Sequence, residues 1–232
     1  MPPLSIADLA ALVFFIFAWT SYHLSIERGR GAEPGLNRMM NDYRRRWMQE
    51  MSERDSRIVD SAIMGSLQNG TAFFASTSLI AIGAAATLLR TTDDVVRIFS
   101  EVSLGLVPDR GLFELKVIGL LVIFGYAFFK FAWAYRLFNY TAILIGATPA
   151  RINPDAEERA RMVRRAGAMN IVAGTHFTRG QRAFFFALAY LGWFLGPWTF
   201  LGATAAVLLV MRRRQFHSDA RRALEEADKT PA

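Results

Sequence analysis

The amino-acid sequence predicts an all-α fold: an integral membrane bundle of four transmembrane helices, with inner ends extended into the cytoplasm and amphipathic surface helices beside them. Two observations predict it. Apolar residues make up 53% of the 232 residues and aromatic residues 13%. Charge is segregated, since the stretches 117–129 and 183–211 contain no charged residue. A helix needs roughly 20 apolar residues to cross about 30 Å of hydrocarbon, so such stretches are typical of membrane spans.

The apolar segments predict the domain organisation. We expect a single transmembrane helical domain over residues 1–216 and a polar C-terminal tail over residues 217–232. An arginine-rich helix should begin beside Asp155 and stop near Gly174, before the last span. The third helix, from Leu112 to Ala147, would be about 54 Å long, so its inner part should project from the membrane. The four spans cover about residues 6–26, 71–89, 117–135 and 182–211.

The fourth span contains Gly196-Pro197, a pair that interrupts helices. We expect one helix that is kinked at the proline, because neighbours and local adjustments satisfy the carbonyl that a proline frees. The alternative is a re-entrant hairpin of two arms of about 12 to 14 residues, each too short to cross a bilayer. The turn of such a hairpin would need shielding by other helices.

Amphipathic helices are predicted between the spans. From Leu36 to Met51, apolar residues recur every three or four positions, which is the spacing of one helix stripe. This helix should lie on the membrane surface or against a neighbouring helix end. A second, short helix begins at Thr92, because Asp93 and Asp94 place acids in its first turn.

The distribution of Lys and Arg predicts the orientation. The connection over residues 27–60 has eight and that over residues 147–182 has seven, whereas residues 90–116 have four. Because cytoplasmic connections retain positive residues, we expect the N-terminus outside and the two arginine-rich connections in the cytoplasm of a bacterial inner membrane. Four crossings would then leave the six basic residues of the tail outside, against the same rule.

The sequence offers no enzyme site, so we expect no enzymatic activity, no cofactor and no metal. Cysteine is absent, which excludes thiol catalysis and thiolate ligands. The three histidines lack metal-ligand spacing, and no glycine-rich phosphate loop occurs. The net charge of +7 comes from basic residues beside apolar segments. We therefore expect membrane lipid as a partner and no nucleic acid.

Polar side chains near the inner ends of the four spans form a candidate functional layer. Polar and charged groups at membrane depth are energetically unfavourable, so their presence there indicates a candidate functional site. The same set also fits the ordinary polar boundary of a membrane protein. The predicted layer consists of His23, Gln68, Asn69, Lys130, Arg136, Asn139, Tyr140 and Arg182.

Arg136 is expected to be held inside the protein. Apolar residues 141–147 continue past it, and it shares a helix face with Asn139 and Tyr140. A buried guanidinium without partners is costly, so we expect a partner such as the amide of Gln68. The alternative is that Arg136 marks the membrane interface and Lys130 extends its charge toward it.

Two stretches of the chain resemble a known family. They are Trp133 to Ala147, which reads WAYRLFNYTAILIGA, and Thr178 to Trp198, which reads TRGQRAFFFALAYLGWFLGPW. Over nearly its whole length the chain resembles the bacterial and plant multi-pass membrane proteins catalogued as domain of unknown function five-ninety-nine. The resemblance implies a multi-pass membrane protein and no particular activity.

Two functions from different classes fit these features. The first is a homo-oligomeric channel or transport-related protein, with Lys130, Arg136 and Arg182 around an anion path. One chain has too few spans to enclose a path, so we expect a homo-oligomer. Its contacts should involve small residues at fourfold spacing, which permit close helix approach in lipid, namely Thr77, Ala81, Ala85, Gly192 and Gly196. The second function is a non-transporting accessory or scaffold subunit that binds lipid or a larger membrane complex.

Overall fold

A computed structural model describes residues 4–28, 35–101, 109–152 and 155–229. Over these ranges every element is helical, which confirms the predicted all-α class. The elements are α1 (Ile6–Arg28), α2 (Leu36–Glu53), α3 (Ile58–Arg90), α4 (Thr92–Glu101), α5 (Arg110–Ala147), α6 (Ala156–Leu191), a 3₁₀ helix (Gly192–Leu195), α7 (Pro197–Phe216) and α8 (Asp219–Lys229).

Three of the described helices are long and apolar enough to cross a membrane. They are Ile6–Ser25 within α1, Ile58–Arg90 (α3) and Arg110–Ala147 (α5), and they correspond to the first three predicted spans. The 38 residues of α5 correspond to about 57 Å of helix. This exceeds the hydrocarbon thickness of about 30 Å, as the sequence predicted.

The fourth predicted span is not one helix. α6 passes Gly174 without a stop, so the predicted helix end there is wrong, and it ends at Leu191. The chain then breaks at Gly196, whose φ of 127° lies in the region that favours glycine. α7 starts at Pro197. Proline is tolerated in the first turn of a helix, because the backbone N–H that it lacks would have no partner within the helix there.

The end of α6 and α7 fold back on each other as a helical hairpin, residues 182–216. The guanidinium of Arg214 lies over the ring of Phe185 at 5.4 Å. A continuous helix would separate these two residues by about 44 Å. Nearer the turn, the rings of Trp193 and Phe200 stack at 5.3 Å. The single kinked helix is therefore wrong, and the chain turns back at Gly196, as the hairpin alternative requires.

The chain divides into two compact units. Unit 1 consists of Met1–Leu36, Leu79–Gly125 and Arg182–Ala232, and unit 2 consists of Asn37–Ser78 and Tyr126–Gln181. Unit 1 therefore contains α1, α4, the hairpin and parts of α3 and α5. Unit 2 contains most of α2 and the remaining parts of α3, α5 and α6.

Unit 1 has an apolar cluster in which α3, α5 and the 3₁₀ helix meet. Ala85 of α3 is buried with Phe113 and Val117 of α5, and Phe194 packs against them. The ring centroids of Phe113 and Phe194 are 5.6 Å apart. Ala85, which we expected at an oligomer interface, thus packs inside its own chain.

Unit 2 packs its four helices around sulfur-rich and aromatic side chains. Met48 and Met51 of α2 are fully buried in a core with Phe138 of α5, so the apolar stripe of α2 lies against other helices. α6 approaches closely because it has glycine at the contacts. A Cβ atom on Gly180 would lie 2.7 Å from the ring of Phe131.

The tail predicted from residue 217 onward contains a helix. α8 begins after Ser218, whose hydroxyl accepts the backbone N–H of Arg221 over 3.2 Å. A serine in this position satisfies one of the free donors at a helix start.

Candidate functional site

One stripe of α1 is buried, and it is polar at both ends. Asp8 and Tyr22 are each 6% exposed, and Ala11, Phe15 and Ala18 between them are also buried. These positions follow the three- and four-residue spacing of one helix face. A helix rises about 21 Å over the 14 residues from Asp8 to Tyr22, so the stripe presents two polar groups far apart.

The centre of this stripe packs against both arms of the hairpin. The ring of Phe15 contacts Phe186 at 5.6 Å and Tyr190 at 5.5 Å on the α6 arm, and Phe200 at 5.1 Å on the α7 arm. Such aromatic pairs contribute roughly 0.5–1.5 kcal/mol each beyond the area that they bury. α1 therefore supplies the shielding that the turn of a hairpin requires.

At the turn of the hairpin, three side chains form a cluster that we call the tip cluster: Asp8, Lys116 and Trp193. The indole N–H of Trp193 donates to Oδ1 of Asp8 over 2.7 Å. The ammonium of Lys116 donates to the backbone carbonyl of Trp193 over 2.8 Å and lies 5.3 Å from the centre of its ring. Ser5 donates its hydroxyl hydrogen to Oδ2 of Asp8 over 2.6 Å.

The broken helix explains why a lysine is buried here. The last carbonyls of a helix lack intrahelical donors and carry the negative end of the helix dipole. Lys116 brings a positive charge to one of them, and Asp8 brings the opposite charge, so the cluster is neutral. Lys116 is only 8% exposed. Because a buried unpaired charge is costly, each of the two ionisable groups depends on the other.

The base of the hairpin is held by the other polar end of the α1 stripe. The hydroxyl of Tyr22 donates to the carbonyl of Met211 in α7 over 3.1 Å. The guanidinium of Arg182, on the α6 arm, lies over the Tyr22 ring at 5.6 Å. Arg182, a member of the predicted layer, is thus buried at the base of the hairpin. His23, another member, is half-buried beside Tyr22 in the sequence.

In unit 2 the structure joins two residues of the predicted layer. Nε2 of Gln68 in α3 donates to Oδ1 of Asn139 in α5 over 2.6 Å. Asn69, the next residue, is exposed instead. A functional role for the layer stays a prediction.

The two cations of α5 that belong to the predicted layer, Lys130 and Arg136, have partners on their own helix. Arg136 is exposed, and its Nε donates to the hydroxyl of Tyr140 one turn further on, over 2.6 Å. Arg136 therefore has a partner within the protein, as expected, but the partner is a tyrosine of its own helix instead of an amide such as that of Gln68, and the expected burial is wrong. Lys130 lies over the ring of Tyr126 in the same way, at 5.1 Å.

Asn170 is a buried polar residue that the sequence analysis missed. It is fully buried on α6, and within the described part of the chain neither its amide nitrogen nor its amide oxygen has a hydrogen-bond partner. One turn away, a Cβ atom on Gly174 would lie 2.6 Å from the guanidinium carbon of Arg44. Burial lowers the pKa of Arg44 from its usual value, because the surroundings disfavour the charge. An unpaired buried amide destabilises a fold by roughly 1–3 kcal/mol.

A cleft of about 420 Å³ opens between α2 and α6 in unit 2, and side chains of both charges line it. Glu50 and Glu53 lie on its α2 side, and Arg159 and Arg164 on its α6 side. Within the ranges that the structure describes, no three His, Asp or Glu side chains gather as metal ligands would. The cleft is therefore a candidate site for a polar partner.

The tip cluster left one signal in the sequence. Asp8 is the one acid within the first predicted span, residues 6–26, and it lies two heptads before Tyr22 on the same face. Asp8 was not among the predicted site residues, although a carboxylate inside an apolar helix is a feature that could have singled it out. The roles of Lys116 and Trp193 could not be read in this way, since they depend on contacts between residues as far as 185 positions apart.

The fold and the tip cluster define a class: an all-α protein with three helices able to cross a membrane and a helical hairpin whose turn bonds to a buried aspartate and a buried lysine. Within that class, the chain belongs to the family described as "Protein of unknown function, DUF599", whose model matches residues 10–220. The resemblance noted from the two sequence stretches is thereby confirmed. No curated protein and no solved structure matches the chain significantly.

Proposed function

We propose that this chain is a transport-related integral protein of the bacterial inner membrane, with the hairpin as its functional element. The observation that carries the proposal is the tip cluster, in which a carboxylate and an ammonium are buried at the broken end of a helix. Ionisable groups at membrane depth mark ion pathways. Broken helices form the ion and substrate sites of many transporters.

The hairpin supports an orientation that obeys the positive-inside rule throughout. α1, α3 and α5 would cross the bilayer from an N-terminus outside, and the hairpin would enter and leave on the cytoplasmic side. The six basic residues after residue 211 then lie with the fifteen of the two arginine-rich connections. Residues 197–211 of α7 would be about 22 Å long, which is too short to cross the hydrocarbon.

The tip cluster replaces the predicted anion path as the candidate pathway. Of the three cations in that path, Arg136 is exposed and bound to Tyr140, and Arg182 is stacked on Tyr22. Asp8 and Lys116 instead form a neutral pair, which favours neither sign of ion by its net charge. Their protonatable groups make proton movement the first activity to test.

Transport would require more than one copy, because three crossing helices and a hairpin enclose little space. We therefore propose a homo-oligomer. Two of its predicted contact residues are used inside the chain: Ala85 is 4% exposed, and a Cβ atom on Gly192 would lie 3.1 Å from the carbonyl oxygen of Thr199. Exposed apolar residues of α3, such as Phe73 and Ile80, offer an alternative surface. Molar mass measured in several mild detergents tests the oligomer.

Ion flux through reconstituted vesicles tests the proposed function. The purified full-length chain is placed in vesicles that contain a pH-sensitive dye, and a membrane potential is imposed. We expect proton flux above that of protein-free vesicles, and its loss in Asp8→Asn. Glu114→Gln is the matched control, since Glu114 lies near Lys116 on α5 but pairs at the surface with Arg110. Wild-type flux of protons and of monovalent ions at the protein-free level would refute the proposal.

An accessory or scaffold role is the second candidate, and the charged cleft of unit 2 favours it. A polar partner could bind between Glu53 and Arg159, where the cleft is open. A correctly folded chain that moves no ion would favour this role over transport. Binding of lipid or a protein partner should then be weakened by Arg164→Ala in the cleft and unaffected by Asp8→Asn in the tip cluster.

A further inference from the structure

The tip cluster has the chemistry to bind a proton. We propose that the carboxylate of Asp8 is a proton-binding site, and that a proton bound there releases the hairpin turn from Lys116. The inference rests on the proposed function, since it names the ion that the same site would take up.

The hydrogen bonds of Asp8 are compatible with both charge states of its carboxyl group. Oδ1 accepts from the indole of Trp193, and Oδ2 accepts from the hydroxyl of Ser5. A hydroxyl group both donates and accepts, so a proton on Oδ2 can donate to Ser5 once that hydroxyl turns its hydrogen toward solvent. Ser5 is exposed and links the buried carboxyl group to water. The proton comes from that water, and no covalent bond between heavy atoms changes.

Protonation would change the charge of the cluster from zero to plus one. Lys116 would then be a buried ammonium whose counter-charge has gone, which is strongly unfavourable. The ammonium can move toward solvent, or it can lose its own proton to water. Either event weakens the charge-assisted hydrogen bond to the Trp193 carbonyl, and that bond holds the turn of the hairpin.

The other titratable groups near the cluster have partners or positions of their own, so Asp8 is the group that takes up the proton. On α5, Glu114 is the nearest carboxylate in sequence to Lys116, and it pairs with Arg110 at the surface. Arg110 also pairs with Asp93 of α4. On the hairpin, Tyr190 faces α5 and its hydroxyl lies against Gly119. The α3 side of unit 1 contributes the apolar residues Ala85 and Leu89.

Single cysteines can report release of the hairpin, because the chain has none of its own. Ala11 is fully buried on the α1 stripe, one turn after Asp8, whereas its neighbour Ala10 is exposed. Full-length Ala11→Cys and Ala10→Cys proteins are labelled in detergent with a water-soluble maleimide, from neutral to acidic pH. The measured quantity is the ratio of two labelling rates, that of Ala11→Cys divided by that of Ala10→Cys. Taking the ratio corrects for the change of thiol reactivity with pH, which affects both variants.

We expect this ratio of labelling rates to rise on acidification by about tenfold, the factor that corresponds to about 1.4 kcal/mol. With Asp8→Asn added, the ratio should be high at neutral pH and independent of pH, since an amide leaves Lys116 without a counter-charge. With Glu114→Gln added, the ratio should behave as in the wild type. Asp8→Glu keeps a carboxyl group and should keep the pH response, so it is the variant to measure if Asp8→Asn does not fold.

A ratio that does not change with pH in the otherwise wild-type chain would overturn the inference, as would a pH response that survives Asp8→Asn. The labelling needs no ion flux, so the two proposals can fail separately. Flux without acid-dependent labelling would refute the proton site and leave the proposed function. Acid-dependent labelling without flux would support the proton site as a pH-dependent release of the hairpin and refute transport.

Discussion

Removal of the Lys116 ammonium should destabilise the protein far more than removal of both charges of the tip cluster. Lys116→Met keeps most of the aliphatic stem but leaves Asp8 as a buried carboxylate without a counter-charge. It also takes from the Trp193 carbonyl its 2.8 Å donor at the broken helix end. Asp8→Asn has the converse effect, since it leaves the ammonium unbalanced while an oxygen remains for the Trp193 indole.

The structure sets the size of each effect. Loss of one partner from a directly bonded buried ion pair costs roughly 3–5 kcal/mol, whereas Asp8 and Lys116 each bond to Trp193 and not to each other. Asp8 and Lys116 retain 6% and 8% exposure, and Asp8 keeps two hydrogen bonds, so we place each single change near the lower value. In the double variant no buried charge remains, and the loss is mainly one hydrogen bond, about 1 kcal/mol. The second substitution should therefore restore stability that the first removed.

Unfolding by a denaturing detergent, titrated into mild-detergent micelles and followed by tryptophan fluorescence, gives the four free energies of unfolding. The reasoning requires a coupling free energy of at least about 2 kcal/mol between the two positions. If the two single effects add to within about 0.5 kcal/mol in the double variant, Asp8 and Lys116 do not balance each other and the account of the tip cluster is wrong.

Three further predictions concern other parts of the chain. Asn170→Leu should raise the free energy of unfolding by about 1 kcal/mol, because it removes two buried polar atoms that lack partners; a loss of stability would show that the amide is bound. Gly180→Ala should lower it by about 1–3 kcal/mol, since the new methyl group meets the ring of Phe131, and Phe131→Leu in the same chain should recover part of the loss. Single cysteines introduced at the exposed positions Gln49 and Ala220 should both resist an impermeant thiol reagent in intact cells and react after lysis; labelling of the Ala220→Cys variant alone before lysis would indicate a fourth crossing.

The apolar segments could be predicted from the sequence because they depend on local composition. The first three predicted spans fall within helices long and apolar enough to cross a membrane, and α5 extends well beyond its apolar core as expected. Alignment of the helix ends placed Gln68 and Asn139 at one depth, but their hydrogen bond was not itself predicted. For the spans and for the length of α5, a property of one helix was sufficient.

The path of the chain after residue 182 could not be decided in this way. A kinked helix and a hairpin share the same residues, including Gly196 and Pro197, and differ only in what shields the turn. The shielding comes from α1, through Phe15 and the hydrogen bond of Trp193 to Asp8. Composition does not show which distant segment provides such contacts.

The wrong prediction of burial for Arg136 has a different cause, and the sequence itself contained the correct partner. Burial was inferred from the apolar run that follows it, with an amide on another helix as partner. Side chains four residues apart on one helix are neighbours, and a tyrosine offers both a hydroxyl and a ring face to a cation. Arg136 with Tyr140 and Lys130 with Tyr126 both have this spacing. Partners on the same helix should therefore be considered before partners on another.

The hairpin and the N-terminal helix depend on each other. A hairpin that enters a membrane and turns back exposes carbonyls that lipid cannot satisfy, so it forms only where other side chains reach its turn. α1 meets this requirement with a single face: an acid at the turn, small and aromatic residues along the arms, and a tyrosine at the base. Because the acid is balanced by Lys116 from α5, the position of the hairpin depends on the charge of the tip cluster. The fold therefore makes the hairpin sensitive to protonation at one carboxyl group.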